Sequence, residues 1–73
     1  MAASEDLATL GRGIRRSRKV RGLSQEALAE IAGLNRNYIG YLERGERNPS
    51  AKMLIIVARA LSVSPAVLFS EFE

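Results

Sequence analysis

The sequence predicts an all-α fold, a compact domain of five helices, and three observations carry that prediction. Apolar residues recur at three- and four-residue spacing, as at Leu7, Leu10 and Ile14 and again at Leu54, Val57, Ala58 and Leu61. Polar helix starts alternate with glycine stops: Ser24, Asn35, Ser50 and Ser64 open segments, while Gly22, Gly33 and Gly45 close them. No stretch shows the pattern of a strand.

The first segment spans about Glu5 to Arg21, with Glu5 and Asp6 near its start, where the backbone dipole favours carboxylates. Leu7, Leu10 and Ile14 form its apolar stripe. Gly11 and Gly13 each cost up to about 1 kcal/mol of helix propensity, which predicts a frayed beginning. The second segment starts at Ser24, whose hydroxyl can accept a hydrogen bond from Glu26 or Ala27 N–H, an N-cap worth about 1 kcal/mol. Leu28, Ile31 and Ala32 share one of its faces, and Gly33 ends it. The third, capped by Asn35, runs to about Arg44. It points Ile39 and Leu42 inward and Arg36, Asn37 and Tyr41 outward.

Ser50 caps the fourth segment, which runs to about Leu61, with Pro49 placed just ahead of the cap, where no helical hydrogen bond is lost. The fifth opens with Ser64 as cap and Pro65 at the first helical position, and carries Val67, Leu68, Phe69 and Phe72. No linker, internal repeat or low-complexity tract divides the chain, so residues 1–73 read as one domain.

Composition narrows the function. At 73 residues a single core is only just sufficient. Cysteine and histidine are both absent, which removes disulfides, the usual zinc ligands and the commonest general base. The carboxylates are scattered over helix surfaces with no nucleophile–base pair, so no enzymatic activity, metal, cofactor or small-molecule ligand is expected. Apolar residues make up 47% of the chain. Their longest run, Met53 to Ala58, falls far short of the roughly 18 to 20 residues that cross a bilayer. The acidic opening MAASEDLATL is unlike a secretory signal, and a cytoplasmic protein with no membrane partner is predicted. The net charge of +3 is unevenly spread. Six basic residues lie between Arg12 and Arg21 with no acidic one, whereas the final fourteen residues carry Glu71 and Glu73 and no base. Such a local basic stretch is an electrostatic footprint for nucleic acid, or else a solvated helix face.

The stretch from Leu23 to Gly45 encodes two short helices joined by three to four residues that include a glycine, a geometry that sets the second helix across the first and projects it outward. Around it stand Leu23-Ser24-Gln25 before Leu28-Ala29, then Gly33, Ile39 with Leu42-Glu43-Arg44-Gly45, Asn48-Pro49-Ser50, and Leu54 with Ala58 and Leu61. In that order and spacing, over residues 23 to 61, the chain resembles the helix-turn-helix family of phage repressors and Cro proteins, the XRE family. The resemblance implies a lambda-repressor-like domain with its helix-turn-helix at about residues 24–44 and double-stranded DNA as partner, read in the major groove.

Residue chemistry fits that role. An Arg guanidinium pairs with O6 and N7 of guanine and an Asn amide with N6 and N7 of adenine, each discriminating by about 1 to 3 kcal/mol. Arg36 and Asn37 are the predicted base readers. The resemblance places them toward the major groove and lets Tyr41, one turn later, extend their reach. Backbone contacts are predicted from Ser24 and Gln25 before the helix, Tyr38 on it, and Arg44, Arg47, Asn48 and Lys52 at and beyond its end, because phosphate contacts fix register from groups that flank the reading helix. The resemblance also implies that Arg18 pairs with Glu43 as a structural ion pair between the first and third helices. One departure is Ser17, where the family usually has an aliphatic residue. Either the core is thinner there or a neighbour such as Val20 fills in.

A lone domain of this size spans too few base pairs to discriminate well, so a homodimer on a palindromic operator is expected, with half-sites about one helical turn apart. Ile55 and Ile56 fall off the buried stripe, and Val67, Phe69 and Phe72 cannot all face one small core. This surplus apolar surface predicts a two-fold interface from about residues 50–73. The overall reading is a sequence-specific transcriptional regulator resembling the small controller proteins of restriction–modification systems. Two alternatives stay open: an antitoxin and autorepressor that also holds a toxin, and a protein-binding helical module.

Overall fold

The computed structural model describes the backbone of residues 2–72 and the side chains of residues 5–72. Among the described residues there are four α-helices and one short 3₁₀ helix: α1 (Ala2–Val20), α2 (Gln25–Ala32), α3 (Arg36–Glu43), α4 (Ala51–Ala60) and the 3₁₀ segment Pro65–Phe69. Each helix from α2 onward starts where a short polar side chain takes up an orphan backbone N–H. Ser24 Oγ accepts from Ala27 N–H at 3.0 Å, Asn35 Oδ1 from Asn37 N–H at 2.7 Å, Ser50 Oγ from Met53 N–H at 3.1 Å and Ser64 Oγ from Ala66 N–H at 3.3 Å. Gly33 closes α2 in the left-handed region, at φ 72°, and the following Leu34 N–H reaches back to the Ala29 carbonyl at 2.8 Å. That reversal sets α3 across α2.

The core lies where these elements converge. Ile14, Leu28, Ile39, Val57, Leu61 and Leu68 are fully buried, with Leu10, Ala29, Leu42, Ala58 and Ala60 around them and Leu54 half-buried at their margin. Each of the five elements contributes at least one side chain. Fully burying a residue such as Leu or Ile is worth about 1.5 to 3 kcal/mol, so this set carries most of the stability.

Four expectations need correction. The fifth segment is not an α-helix. Its bonds run from Val67 N–H to Ser64 O (2.9 Å) and from Ser70 N–H to Val67 O (3.1 Å), the three-residue closure of a 3₁₀ turn. Only Leu68 of this segment is buried, so one anchor, not a helical stripe, fixes it. Ile31 does not share the buried face of α2. It is 56% exposed, because an eight-residue helix places only Leu28 and Ala29 fully in the core. Val20 does not fill the space beside the buried Ser17. It is the last residue of α1 and is 79% exposed, and a groove of about 270 Å³ opens between Ser17 and Val63, Val67 and Ser70. Finally, α1 is helical from Ala2, and its glycines mark close packing. A methyl at Gly11 would lie 2.5 Å from the carbonyl oxygens of both Leu42 and Glu43, and one at Gly13 would collide with the Leu68 carbonyl. The propensity lost at these positions lets α1 meet the end of α3 and the 3₁₀ segment backbone to backbone.

Candidate nucleic-acid interface

Helix α3 has two unlike faces. Ile39, Leu42 and Glu43 are buried against the core, whereas Arg36 and Asn37 stand exposed on the first turn. One α3 turn beyond Asn37, Tyr41 is half-buried. Gln25, Arg36, Asn37, Gly40, Tyr41 and Arg44 together line a polar groove of about 150 Å³ between the start of α2 and the outer side of α3. Five predicted contact residues thus meet in one place. Gly40 is the sixth, a residue not among the predicted contacts. It is buried within α3, and a methyl there would come within 3.0 Å of Arg44 Nη1, so its lack of a side chain makes room for that guanidinium. A glycine inside a short helix was the available signal.

The charges at this surface are arranged loosely. Arg36 Nε lies 3.9 Å from Glu26 Oε2, at the outer limit of an ion pair, with both side chains largely exposed. Arg44 donates from Nη2 to Glu46 Oε1 at 3.2 Å, and its Nε stands 3.2 Å from Oε2. The hydrogen bond to Glu46 raises the Arg44 pKa above its ordinary value. Arg47 lies over the Tyr41 ring, 4.2 Å from its centroid, and Arg44 lies 5.3 Å from the same centroid. Tyr38 is half-buried and packs against the core, Ser24 uses its hydroxyl as the α2 cap, and Asn48 and Lys52 are exposed outside the groove.

Behind the groove, Arg18 and Glu43 form a buried two-bond pair. Arg18 donates from Nε to Glu43 Oε2 at 2.6 Å and from Nη2 to Oε1 at 2.9 Å, while its Nη1 donates to the Leu23 carbonyl at 2.8 Å. These bonds raise the Arg18 pKa above its ordinary value, against the opposing effect of burial. Gln25 completes the cluster by donating from Nε2 to Glu43 Oε1 at 3.1 Å. The Glu43 carboxylate therefore ties α1, α2 and α3 together and fixes the amide of a groove residue, while Arg18 holds the loop before α2. Gln25 and Glu43 have separate predicted tasks, and no local pattern in the sequence signals the bond between them.

Elsewhere, Arg21 donates to the Leu61 carbonyl at 3.2 Å and Arg16 pairs with Glu71 at the surface at 3.0 Å, so the basic run from Arg12 to Arg21 is partly engaged within the chain. Arg12, Arg15 and Lys19 line a separate groove with Arg16, Val20 and Glu71, sharing no residue with the one on α3. Ile55, Val67, Phe69 and Phe72 are each about 40% exposed, Ile56 is half-buried, and the Phe69 and Phe72 rings sit 5.9 Å apart. No helix among the described residues is long and apolar enough to cross a membrane.

The helix-turn-helix family model, HTH_3, matches residues 14–68, three quarters of the chain. The chain belongs to the helix-turn-helix family. It is 53% identical over 55 residues to control protein C.SmaI of Serratia marcescens, an alignment covering 75% of this chain and 66% of that protein. Two other relatives are longer, and the chain spans 44% and 42% of them. Among solved structures it resembles the restriction–modification controller protein C.AhdI of Aeromonas hydrophila, with a TM-score of 0.86 and 45% identity over 89% of this chain and 98% of that one. It also resembles the controller protein C.Esp1396I, seen as a tetramer with its natural 35 base-pair operator, with a TM-score of 0.80 and 36% identity over 88% of this chain and 84% of that one.

Proposed function

We propose that this protein is a sequence-specific double-stranded DNA-binding transcriptional regulator that acts as a homodimer on palindromic operators and controls a restriction–modification operon. The observation that carries this reading is the polar groove on α3, where Arg36 and Asn37 stand exposed on the first turn beside Gln25, Tyr41 and Arg44. Groups with these donor patterns, on a helix that a glycine turn projects outward, are suited to base edges in the major groove. Arg36 and Asn37 read bases. Gln25, Arg44 and Arg47 engage phosphates, with Ser24, Tyr38, Asn48 and Lys52 at the margin. The protein acts by occupancy, without catalysis, in the cytoplasm. The kinship to controller proteins and the 35 base-pair operator complex of C.Esp1396I support this reading.

The two-fold contact is assigned to Ile55, Ile56, Val67, Phe69 and Phe72, whose apolar surface the monomer leaves partly uncovered. Its test is sedimentation: wild type runs as a dimer and Phe69→Ser shifts toward monomer with its helical signal intact. A Phe69→Ser protein that stays fully dimeric overturns the assignment.

Selection from random duplexes tests the whole reading. It should enrich a symmetric site with half-sites about one helical turn apart. With about six phosphates neutralised per dimer, log K should fall against log salt with a slope of about −5. Failure to enrich any duplex at low ionic strength overturns the reading.

A further inference from the structure

Tyr41 lies in the groove with two guanidinium groups against its ring, Arg47 at 4.2 Å and Arg44 at 5.3 Å from the centroid. The two cations are held differently. Arg44 is bonded to the Glu46 carboxylate, so a fixed anion offsets its charge. Arg47 donates only to the Glu46 main-chain carbonyl, at 3.1 Å, and it enters none of the ion pairs found among the described residues. It is an exposed cation held over an aromatic face with no carboxylate to neutralise it.

An exposed arginine normally samples many rotamers, and binding one phosphate means giving up that freedom. Stacking on an aromatic face removes much of the cost in advance and leaves the edge N–H donors of the guanidinium free to point at an anion. We infer that Tyr41 is a positioning residue: its ring pre-orients Arg47 as a phosphate clamp at the end of α3, and its own polar group reads no base. This assigns Tyr41 a task different from the base reading expected of it from the sequence. It rests on the DNA-binding function proposed above.

The test uses the full chain, a duplex recovered by the selection, and a duplex of random sequence. An exposed cation–π contact corresponds to about a two- to fivefold effect per protomer, hence about four- to twenty-five-fold for a dimer. Tyr41→Leu should weaken both duplexes by this factor and leave the preference between them unchanged. Tyr41→Phe keeps the ring and should bind as wild type does. In an Arg47→Met background, Tyr41→Leu should cause no further loss.

A second readout needs no DNA. The Arg47 side-chain protons of the free protein should resonate upfield under the Tyr41 ring current, in wild type and in Tyr41→Phe but not in Tyr41→Leu. Three results overturn the inference: unshifted Arg47 protons in wild type, Tyr41→Leu binding equal to wild type, or a Tyr41 variant that changes base preference at one operator position. A wild-type protein that binds no duplex overturns the DNA-binding function as well. A wild-type protein that binds beside an equally good Tyr41→Leu variant overturns the platform alone.

Discussion

Two arginine–glutamate pairs sit at opposite sides of α3 and do opposite things. Arg18 and Glu43 are buried, meet at 2.6 Å, and have every remaining polar group engaged by Leu23 or Gln25. Arg44 and Glu46 meet at 3.2 Å with about half of each side chain in solvent. The chemistry is the same, so the difference lies in what surrounds it. Away from water, a charge is tolerable only while its partner is present, and removing one member strands the other. In water, either member is solvated alone and the pair is worth at most about 1 kcal/mol. The inner pair therefore holds the helices in place, and the outer one leaves a cation available to be taken over by a stronger anion.

The largest effect follows from the inner pair. Glu43→Ala should cost about 3 to 5 kcal/mol, because Arg18 would remain buried without a carboxylate. A domain this small has a total stability near the lower end of about 5 to 15 kcal/mol. Thermal denaturation followed by circular dichroism should therefore show a variant left with at most about 2 kcal/mol of stability and a melting temperature lowered by about 12 °C or more. An unchanged melting temperature with lost DNA binding would break the contrast, since Glu43 would then act at the surface.

The second effect belongs to the outer face alone. Arg36→Ala removes a side chain whose only ion-pair partner among the described residues is Glu26 at 3.9 Å, both groups in solvent, so melting should hardly change. Operator binding should weaken by about 1 to 3 kcal/mol per contact, and discrimination should relax at one position in each half-site. Competition titration against duplexes altered at single positions measures this. Equal weakening on every sequence would make Arg36 a phosphate contact instead of a base reader.

These two predictions also mark what the sequence made legible. Caps at Ser24, Asn35, Ser50 and Ser64, the stop at Gly33 and the outward placement of Arg36 and Asn37 are local properties, set within one helical turn, and all are visible in the string of residues. Contacts between elements were harder to see. Gly11 and Gly13 counted as weak helix formers until α1 was placed against the carbonyls of Leu42, Glu43 and Leu68. Ile31 matched the apolar period of α2 but fell outside its short buried face. The Gln25–Glu43 bond and the Arg47–Tyr41 stack join residues whose periodicity says nothing about each other. Ser64-Pro65 signals a helix start equally well for a 3₁₀ turn, and only the single anchor at Leu68 settles the difference.

The smallest effect sharpens the contrast most. Glu46→Gln keeps the size of the side chain, removes its charge and leaves one acceptor oxygen where the carboxylate offers two to Arg44, so in this exposed pair the loss of stability should stay below about 0.5 kcal/mol, a fall in melting temperature of under about 4 °C. DNA binding should move the other way. DNA phosphates compete with Glu46 for the Arg44 guanidinium, and freeing it in both protomers should tighten binding and steepen the salt slope by up to about 2, one counterion for each arginine released. A melting temperature lowered by ten degrees or more would mean that Glu46 behaves like Glu43. Unchanged binding and slope would mean that Arg44 faces no phosphate, and the cationic contacts at this surface would then fall to Arg36 in the groove and Arg47 beside it.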